Sequence, residues 1–268
     1  MPGIKAVIPA AGFGTRLRPF TLAAPKEILP AGRKPMIHWA VEEAFSSGIT
    51  EVGIVIRRGK EVIQEYFSAL ANSPYPLQEA LNKYLTSGHL HFIYQDQPLG
   101  LGHALYESRA FLKDFAFVMI IPDQFLLSKV PATKQLLEAS AASRQSVWST
   151  VVTVPQGEKT LFPGARAFLL RNLQNRIGEV IGIQEEPPKC KEDQPVGFGR
   201  TYFPAGVLEF FSTAYLNPAT SEVDLLFTFQ ALLNAYKNYA FWLEGRAMDL
   251  GTWEGYEYFF PKFDQWRP

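Results

Sequence analysis

Only one cysteine, Cys190, occurs among the 268 residues, so no internal disulfide can form, and no cysteine–histidine cluster has zinc-binding spacing. Charge of one sign is equally scarce: lysine plus arginine and aspartate plus glutamate each number 26, for a formal net charge of zero. A chain that grips nucleic acid along its backbone shows a basic surplus or patch. None is present, so the expected ligands are small anions met by a few placed cations. Proline or charge interrupts every apolar run well short of the roughly 20 residues of a membrane span. The strand-like run at residues 4–8 carries the expectation of no leader ahead of it, and no repeat, low-complexity tract or interdomain linker is visible. A cytoplasmic enzyme or binding protein, with no nucleic-acid or membrane partner, is the expectation.

Hydrophobic residues are plentiful, at 47%, enough for one sizeable α/β domain. Residues 4–8 read as a strand that ends in Pro9-Ala10-Ala11-Gly12. Residues 35–45 predict a helix: Pro35 suits its first turn, Ile37, Val41, Ala44 and Phe45 share a face, and Gly48 ends it. A strand at 52–56, a helix lined by Val62, Ile63, Tyr66, Phe67 and Leu70, then strand 91–94, helix 102–112 and strand 115–121 continue the alternation. Such alternation predicts a mostly parallel sheet with helices on both faces. After about Ser146 the rhythm changes to a strand at 147–154 and a hairpin of 167–173 with 179–184. A Pro- and charge-rich loop at 185–195 and helical patterns at 207–215 and 223–236 follow. One domain, 1–268, is expected, with halves of about 1–145 and 146–268.

The segment Ala10-Ala11-Gly12-Phe13-Gly14-Thr15-Arg16 follows the first strand. Its glycines let the backbone bend and aim successive N–H groups at phosphate oxygens. Arg16 adds a fork matched to phosphate and Lys26 a flexible point charge. The Walker pattern is absent, and Leu17 stands where a dinucleotide fingerprint needs its third glycine. Alone, the loop would read equally as a glycine turn from strand to helix. It is followed, however, by Pro25-Lys26-Glu27-Ile28-Leu29-Pro30 and Lys34-Pro35-Met36-Ile37. The whole arrangement resembles the sugar-1-phosphate nucleotidyltransferase family, closest to its UTP–glucose-1-phosphate uridylyltransferase branch, the bacterial UDP-glucose pyrophosphorylases.

That resemblance implies a Rossmann-like mixed sheet, mostly parallel, with a β-hairpin sugar-binding lobe. It implies nucleotide binding by Ala10, Ala11, Gly12, Gly14 and Thr15, and catalytic roles for Arg16 and Lys26. Tyr94-Gln95-Asp96-Gln97-Pro98-Leu99-Gly100-Leu101-Gly102-His103-Ala104 is similar to the family's base-binding segment, with Gln95 and Gly100 on the pyrimidine edge. Without the family, Gln95 reads as a polar strand end and His103 as a helix N-terminal histidine with no chemistry. Asp123 ends an apolar strand, where open α/β sheets place ligands. The resemblance makes it a Mg²⁺ ligand, and a helix cap is the alternative. Asp249, in Met248-Asp249-Leu250-Gly251, supplies the second Mg²⁺ contact by the same resemblance. The family often has a second acidic residue where Gln124 stands here.

The acceptor region departs from the family. Gln184-Glu185-Glu186-Pro187 stands where the family carries Val-Glu-Lys-Pro, so Glu185 matches the sugar-binding glutamate and Glu186 reverses the charge of the phosphate-binding lysine. Lys189, Lys191 and Arg200 are candidates to replace that charge, and Gly199 matches a glycine of the sugar site. The implied reaction is Mg²⁺-dependent transfer of a nucleotidyl group from UTP to glucose 1-phosphate. A dTTP, CTP or GTP enzyme, another acceptor, or a catalytically weak nucleotide-sugar binder remain alternatives. Partners are the small-molecule substrates, and the sequence leaves a homo-oligomer open.

Overall fold

A computed structural model describes residues 3–73, 79–184, 195–213, 216–218 and 221–263. Its first strand shows how the layers arise. In β1 (Lys5–Pro9), Ala6 and Ile8 enter one apolar cluster and Val7 another, because successive side chains of a strand point to opposite faces. Both faces are therefore buried, and the strand has no polar alternation. On the Ala6 side lie α1 (Met36–Ser46), α2 (Val62–Ala71), α3 (Glu79–Thr86) and α6 (Ala132–Ser140), through Val41, Phe67, Leu81 and Leu136. On the Val7 side lie α4 (Gly100–Glu107), α5 (Arg109–Leu112) and α7 (Leu225–Ala235), through Leu105, Leu112 and Phe229.

The strands between are β4 (Val52–Ile56), β5 (Leu90–Tyr94), β6 (Phe117–Ile120), β8 (Val147–Val152), β9 (Ala167–Gln174), β10 (Ile177–Gln184), β11 (Val196–Phe203) and β12 (Asn238–Trp242). With β1 they form a nine-stranded sheet in the order β5-β4-β1-β6-β11-β8-β12-β10-β9. The quartet β5-β4-β1-β6 is parallel, as is β8 with β12. β11 runs antiparallel to both β6 and β8, and β10 antiparallel to both β12 and β9. The sheet is thus the mixed α/β arrangement expected. The β9–β10 hairpin turns through Asn175 and Arg176 at φ 48° and 65°, two left-handed residues whose twist suits a tight connection.

Several local expectations shift. Residues 102–112 form two helices, α4 and α5, which meet at Ser108. Where the pattern at 207–215 predicts a helix, Val207–Phe211 form a short 3₁₀ turn. α7 starts at Leu225 because the Asp224 carboxylate accepts from the Leu226 N–H at 2.6 Å and caps it. The antiparallel pair β7 (Gln124–Leu127) with β13 (Arg246–Asp249) was not foreseen, and it sets Asp249 opposite Gln124. A small ladder of β2 (Pro30–Ala31) with β3 (Lys34–Pro35) and the last helix, α8 (Trp253–Phe263), complete the chain. Leu17, Leu29, Met36, Phe162, Met248 and Phe259 pack together as a third cluster, which seats the end of the phosphate loop against β13 and α8. Among the described residues, no helix is long and apolar enough to cross a membrane.

Candidate active site

At the carboxyl ends of β1, β5 and β6 the chain leaves an open cavity of about 630 Å³, within the range of small-molecule sites. Gly12, Gly14, Thr15, Arg16, Lys26, Gln95, Gly100, Asp123, Gly199 and Asp249 all line it, as does Ala11. Ala10 does not. Its N–H donates to the Val55 carbonyl at 2.7 Å and its own carbonyl accepts from Lys60 Nζ at 2.6 Å, so both its backbone groups are engaged inside the protein. Glu185, Glu186, Lys189 and Lys191 lie outside the described residues.

The phosphate loop depends on Gly14, whose φ of +65° is left-handed and whose missing Cβ would stand 2.9 Å from Thr21 Cγ2. Thr21 Oγ1 donates to the Gly14 carbonyl at 2.9 Å and closes the turn. Beneath the loop is a buried ion pair, Lys60 Nζ to Glu27 Oε2 at 2.8 Å. Because the same ammonium holds the Ala10 carbonyl, one cation ties β1, the Lys26–Ile28 turn and the end of β4 together. Burial pulls the Lys60 ammonium below its ordinary pKa even though Glu27 works against this.

Lys26 reaches across to Asp123, 2.6 Å from Nζ to Oδ2. Burial disfavours the Lys26 charge, but the Asp123 and Glu27 carboxylates outweigh it and hold the ammonium above its usual range. Asp123 is held below the usual carboxylate range: burial would raise it, and Lys26 and then Arg16 overcome that. Asp249 goes the other way, to about 6, through burial and the nearby Asp123 charge. Its Oδ2 accepts from Gln124 Nε2 at 2.9 Å and its Oδ1 from the Gly251 N–H at 2.8 Å.

Two partly repelling carboxylates, with oxygen donors only, suit a hard divalent cation. A Cβ at Gly251 would lie 2.5 Å from Asp123 Oδ2 and 3.0 Å from Asp249 Oδ1, so glycine alone keeps the carboxylates accessible to each other. Among the described residues no group of three or more histidine, cysteine or acidic side chains surrounds a common point. A cation here would take its remaining ligands from phosphate and water, as Mg²⁺ prefers.

Gln95 is 4% exposed, and its Nε2 lies 3.0 Å from the Gly100 carbonyl and 3.1 Å from His103 Nδ1. His103 therefore touches the amide it follows in sequence and helps to fix its orientation. The 99–102 turn is pinned in turn by Gly102 N to the Val223 carbonyl and Val223 N to the Leu99 carbonyl.

Arg200 is not a replacement cation for the acceptor. It is 1% exposed, and its guanidinium forks onto Glu43 at 2.8 and 2.7 Å while donating to the carbonyls of Ile121 and Gln124. Its charge is fully committed beneath the Asp123 turn. Gln124 does more than stand in for an acidic residue. Its amide bridges Asp249 and the Gly199 N–H (2.6 Å to Oε1), a joint that an acidic side chain could not make to Asp249. The β7–β13 register is the only signal that exposes this, and it is not local in sequence. Arg166 and the half-exposed Phe13, which packs against the Arg57 guanidinium, also line or edge the cavity unforeseen.

A mixed sheet with a glycine phosphate loop, a buried cation and two converging carboxylates at its carboxyl edge defines a nucleotidyl-transferring enzyme, and the chain belongs to the nucleotidyl transferase family, whose model matches residues 5–265. Among its relatives is the UTP–glucose-1-phosphate uridylyltransferase YngB of Bacillus subtilis, 31% identical over 92% of this chain and 84% of that protein. A UTP–glucose-1-phosphate uridylyltransferase of Staphylococcus saprophyticus is 32% identical over 94% of this chain and 89% of its own. A UDP-glucose pyrophosphorylase crystallised with UDP-glucose superposes with a TM-score of 0.83 at 25% identity, covering 99% of this chain and 100% of that one.

Proposed function

We propose that this enzyme transfers the uridylyl group of UTP to glucose 1-phosphate, with Mg²⁺, giving UDP-glucose and pyrophosphate. The observation that carries this reading is the meeting of the phosphate loop, Lys26, Asp123 and Asp249, from separate chain segments, in one cavity. The names of the relatives, and UDP-glucose in the similar crystal structure, support the choice of base and sugar.

The acceptor phosphate is already an anionic nucleophile, so no general base is needed. What the protein must do is hold two polyanions in line and offset the charge that develops at the α-phosphorus. The loop N–H groups and Arg16 bind the leaving β- and γ-phosphates. Lys26, kept protonated by its carboxylate neighbours, stands at the reacting centre and moves from Asp123 to phosphate when substrate enters. Gln95 and the Gly100 backbone meet the uracil edge. Asp123 and Asp249 are the residues that would hold Mg²⁺, which when bound neutralises phosphoryl oxygens.

Pyrophosphate release measured for each of the four NTPs and dTTP, against a panel of sugar 1-phosphates, tests the reading. The fastest turnover is expected with UTP and glucose 1-phosphate, and EDTA should abolish it. Preference for another pair, or undiminished turnover in EDTA, would overturn the corresponding part.

A further inference from the structure

The cavity receives two anions, yet the cations so far assigned, Arg16 and Lys26, both belong to the segment that follows β1. Arg166 is the further cationic side chain in its wall. Its placement is dictated by its neighbours. Ala165 and Ala167 on either side are 3% and 0% exposed and belong to the core, while Arg166 between them lines the cavity. The Gly197 N–H donates to the Arg166 carbonyl at 2.6 Å and fixes that backbone against β11. No carboxylate among the described residues pairs with the guanidinium, although it is half-buried.

Arg16 approaches the same turn, with Nη1 3.5 Å and Nη2 3.8 Å from where a Gly164 Cβ would stand. Arg16 and Arg166, one from each half of the chain, thus both line the same cavity, with Gly164 beside Arg16. Two cations from separate segments in one cavity match the two anions that the proposed reaction brings together. On the reading above, Arg16 serves the triphosphate, which leaves the second anion for Arg166.

We propose that Arg166, in the wall of the same cavity as Arg16, is the cation that receives the phosphate of the acceptor sugar. The planar fork suits a phosphate monoester, and it supplies the positive charge that Glu186 removes from the family pattern. The proposal rests on the uridylyltransferase reading, and after transfer the same phosphate becomes the β-phosphate of the nucleotide-sugar.

Full-length wild type, Arg166→Gln and Arg166→Lys are compared by steady-state kinetics and by calorimetric binding of UMP, UDP and UDP-glucose. Arg166→Gln should raise the KM for glucose 1-phosphate by about tenfold or more while the KM for UTP changes by less than about twofold. It should weaken UDP and UDP-glucose binding but leave UMP binding unchanged. Arg166→Lys should recover part of the loss, because it keeps the charge without the fork. An unchanged acceptor KM, an equal rise in both KM values, or equal weakening of UMP and UDP would overturn the assignment. So would a lysine variant that loses stability as glutamine does, since that marks a packing role. If the wild type turned over no substrate pair, the reaction reading would fail, and the UMP–UDP comparison would decide the role of Arg166 by itself.

Discussion

The two halves of the molecule build their share of the site by different means. In the parallel half, every functional group follows the carboxyl end of its own strand: Gly12 to Arg16 after β1, Gln95 after β5, Asp123 after β6. In the other half the contributions come from registers. Asp249 ends β13 opposite Gln124, Gly199 sits inside β11, and Arg166 precedes β9. A parallel βα layout turns sequence order into a row of loops along one edge, whereas antiparallel pairings place residues by partners that lie far along the chain. On the proposed uridylyltransferase reading, one half supplies a local loop for the nucleotide, and the other adds groups that long-range pairings set in place.

The sharpest way to break this comparison is at Lys26, where the loop half does its chemistry. Lys26→Ala should lower kcat by a thousandfold or more, on the order of 4 kcal/mol of transition-state stabilisation, with a modest change in nucleotide affinity. Because Asp123 would lose its nearest cation, its pKa should rise in the metal-free protein. An unchanged kcat would move the catalytic weight to the acceptor half and remove the asymmetry between the two.

Two buried ion pairs allow a matched comparison of stability. Lys60–Glu27 is internal to the loop half, at 2.8 Å, with side chains 3% and 1% exposed. Arg200–Glu43 joins the halves at 2.7 Å. Lys60→Met leaves the buried Glu27 carboxylate without its hydrogen-bonded cation and the Ala10 carbonyl without its Lys60 donor, which should cost about 3–5 kcal/mol in denaturant unfolding. Adding Glu27→Gln should restore part of it. Arg200→Met should cost a similar amount, because Glu43 keeps the Thr133 N–H and hydroxyl yet loses its cation. The difference should appear in kinetics: the Lys60 change raises the KM for UTP through the loop, while the Arg200 change disturbs the Asp123–Gln124 turn. Identical kinetic profiles would show that the site responds as one body rather than as two parts.

What was legible follows the same division. The phosphate loop, Gln95 and Asp123 stand beside strands whose apolar runs are plain, but their roles, and the place of Lys26, are legible only through the resemblance to the family motif. β7 could not, since four residues directly after Asp123 carry no period of their own. Nor could α6, whose nine residues bury Thr133, Gln135 and Ser140 as well as Leu136, so that its inward face is partly polar. Arg200 misled because a cation near an acceptor motif reads as available, and its partner Glu43 is 157 positions away. The contact that holds Ala10 is likewise distant, since the Lys60 ammonium that takes its carbonyl lies 50 positions away. Glu185 and Glu186 stand in a stretch where sequence remains the sole guide.

The smallest effect concerns acid. All four histidines, His38, His89, His91 and His103, belong to the loop half. His38 is 2% exposed on α1, and its Nδ1 is 2.8 Å from the Tyr66 hydroxyl. Glu42 is nearby at 3.7 Å, but Lys34 already holds that carboxylate at 2.7 Å. Burial, with Lys34 adding to it, pushes the His38 pKa from 6.5 to about 4. A depressed folded-state value means the unfolded chain binds the proton first, so stability falls as pH drops from 6.5 towards 4. The loss attributable to His38 is up to about 3 kcal/mol. Asp249, raised to about 6 from 3.8, acts with the opposite sign over almost the same interval in metal-free protein. The two halves thus offset one another, and a pH scan of the wild type alone would show little of either. Replacing His38 by Gln keeps a partner for Tyr66 and removes the titration. Both proteins retain Asp249, so its contribution cancels in the difference between their unfolding free energies. That difference should grow steadily in favour of the variant from pH 6.5 to 4 and be flat above pH 7. A flat difference across the whole range would show that His38 binds its proton equally well in the folded and unfolded chain, and that its burial carries no acid sensitivity.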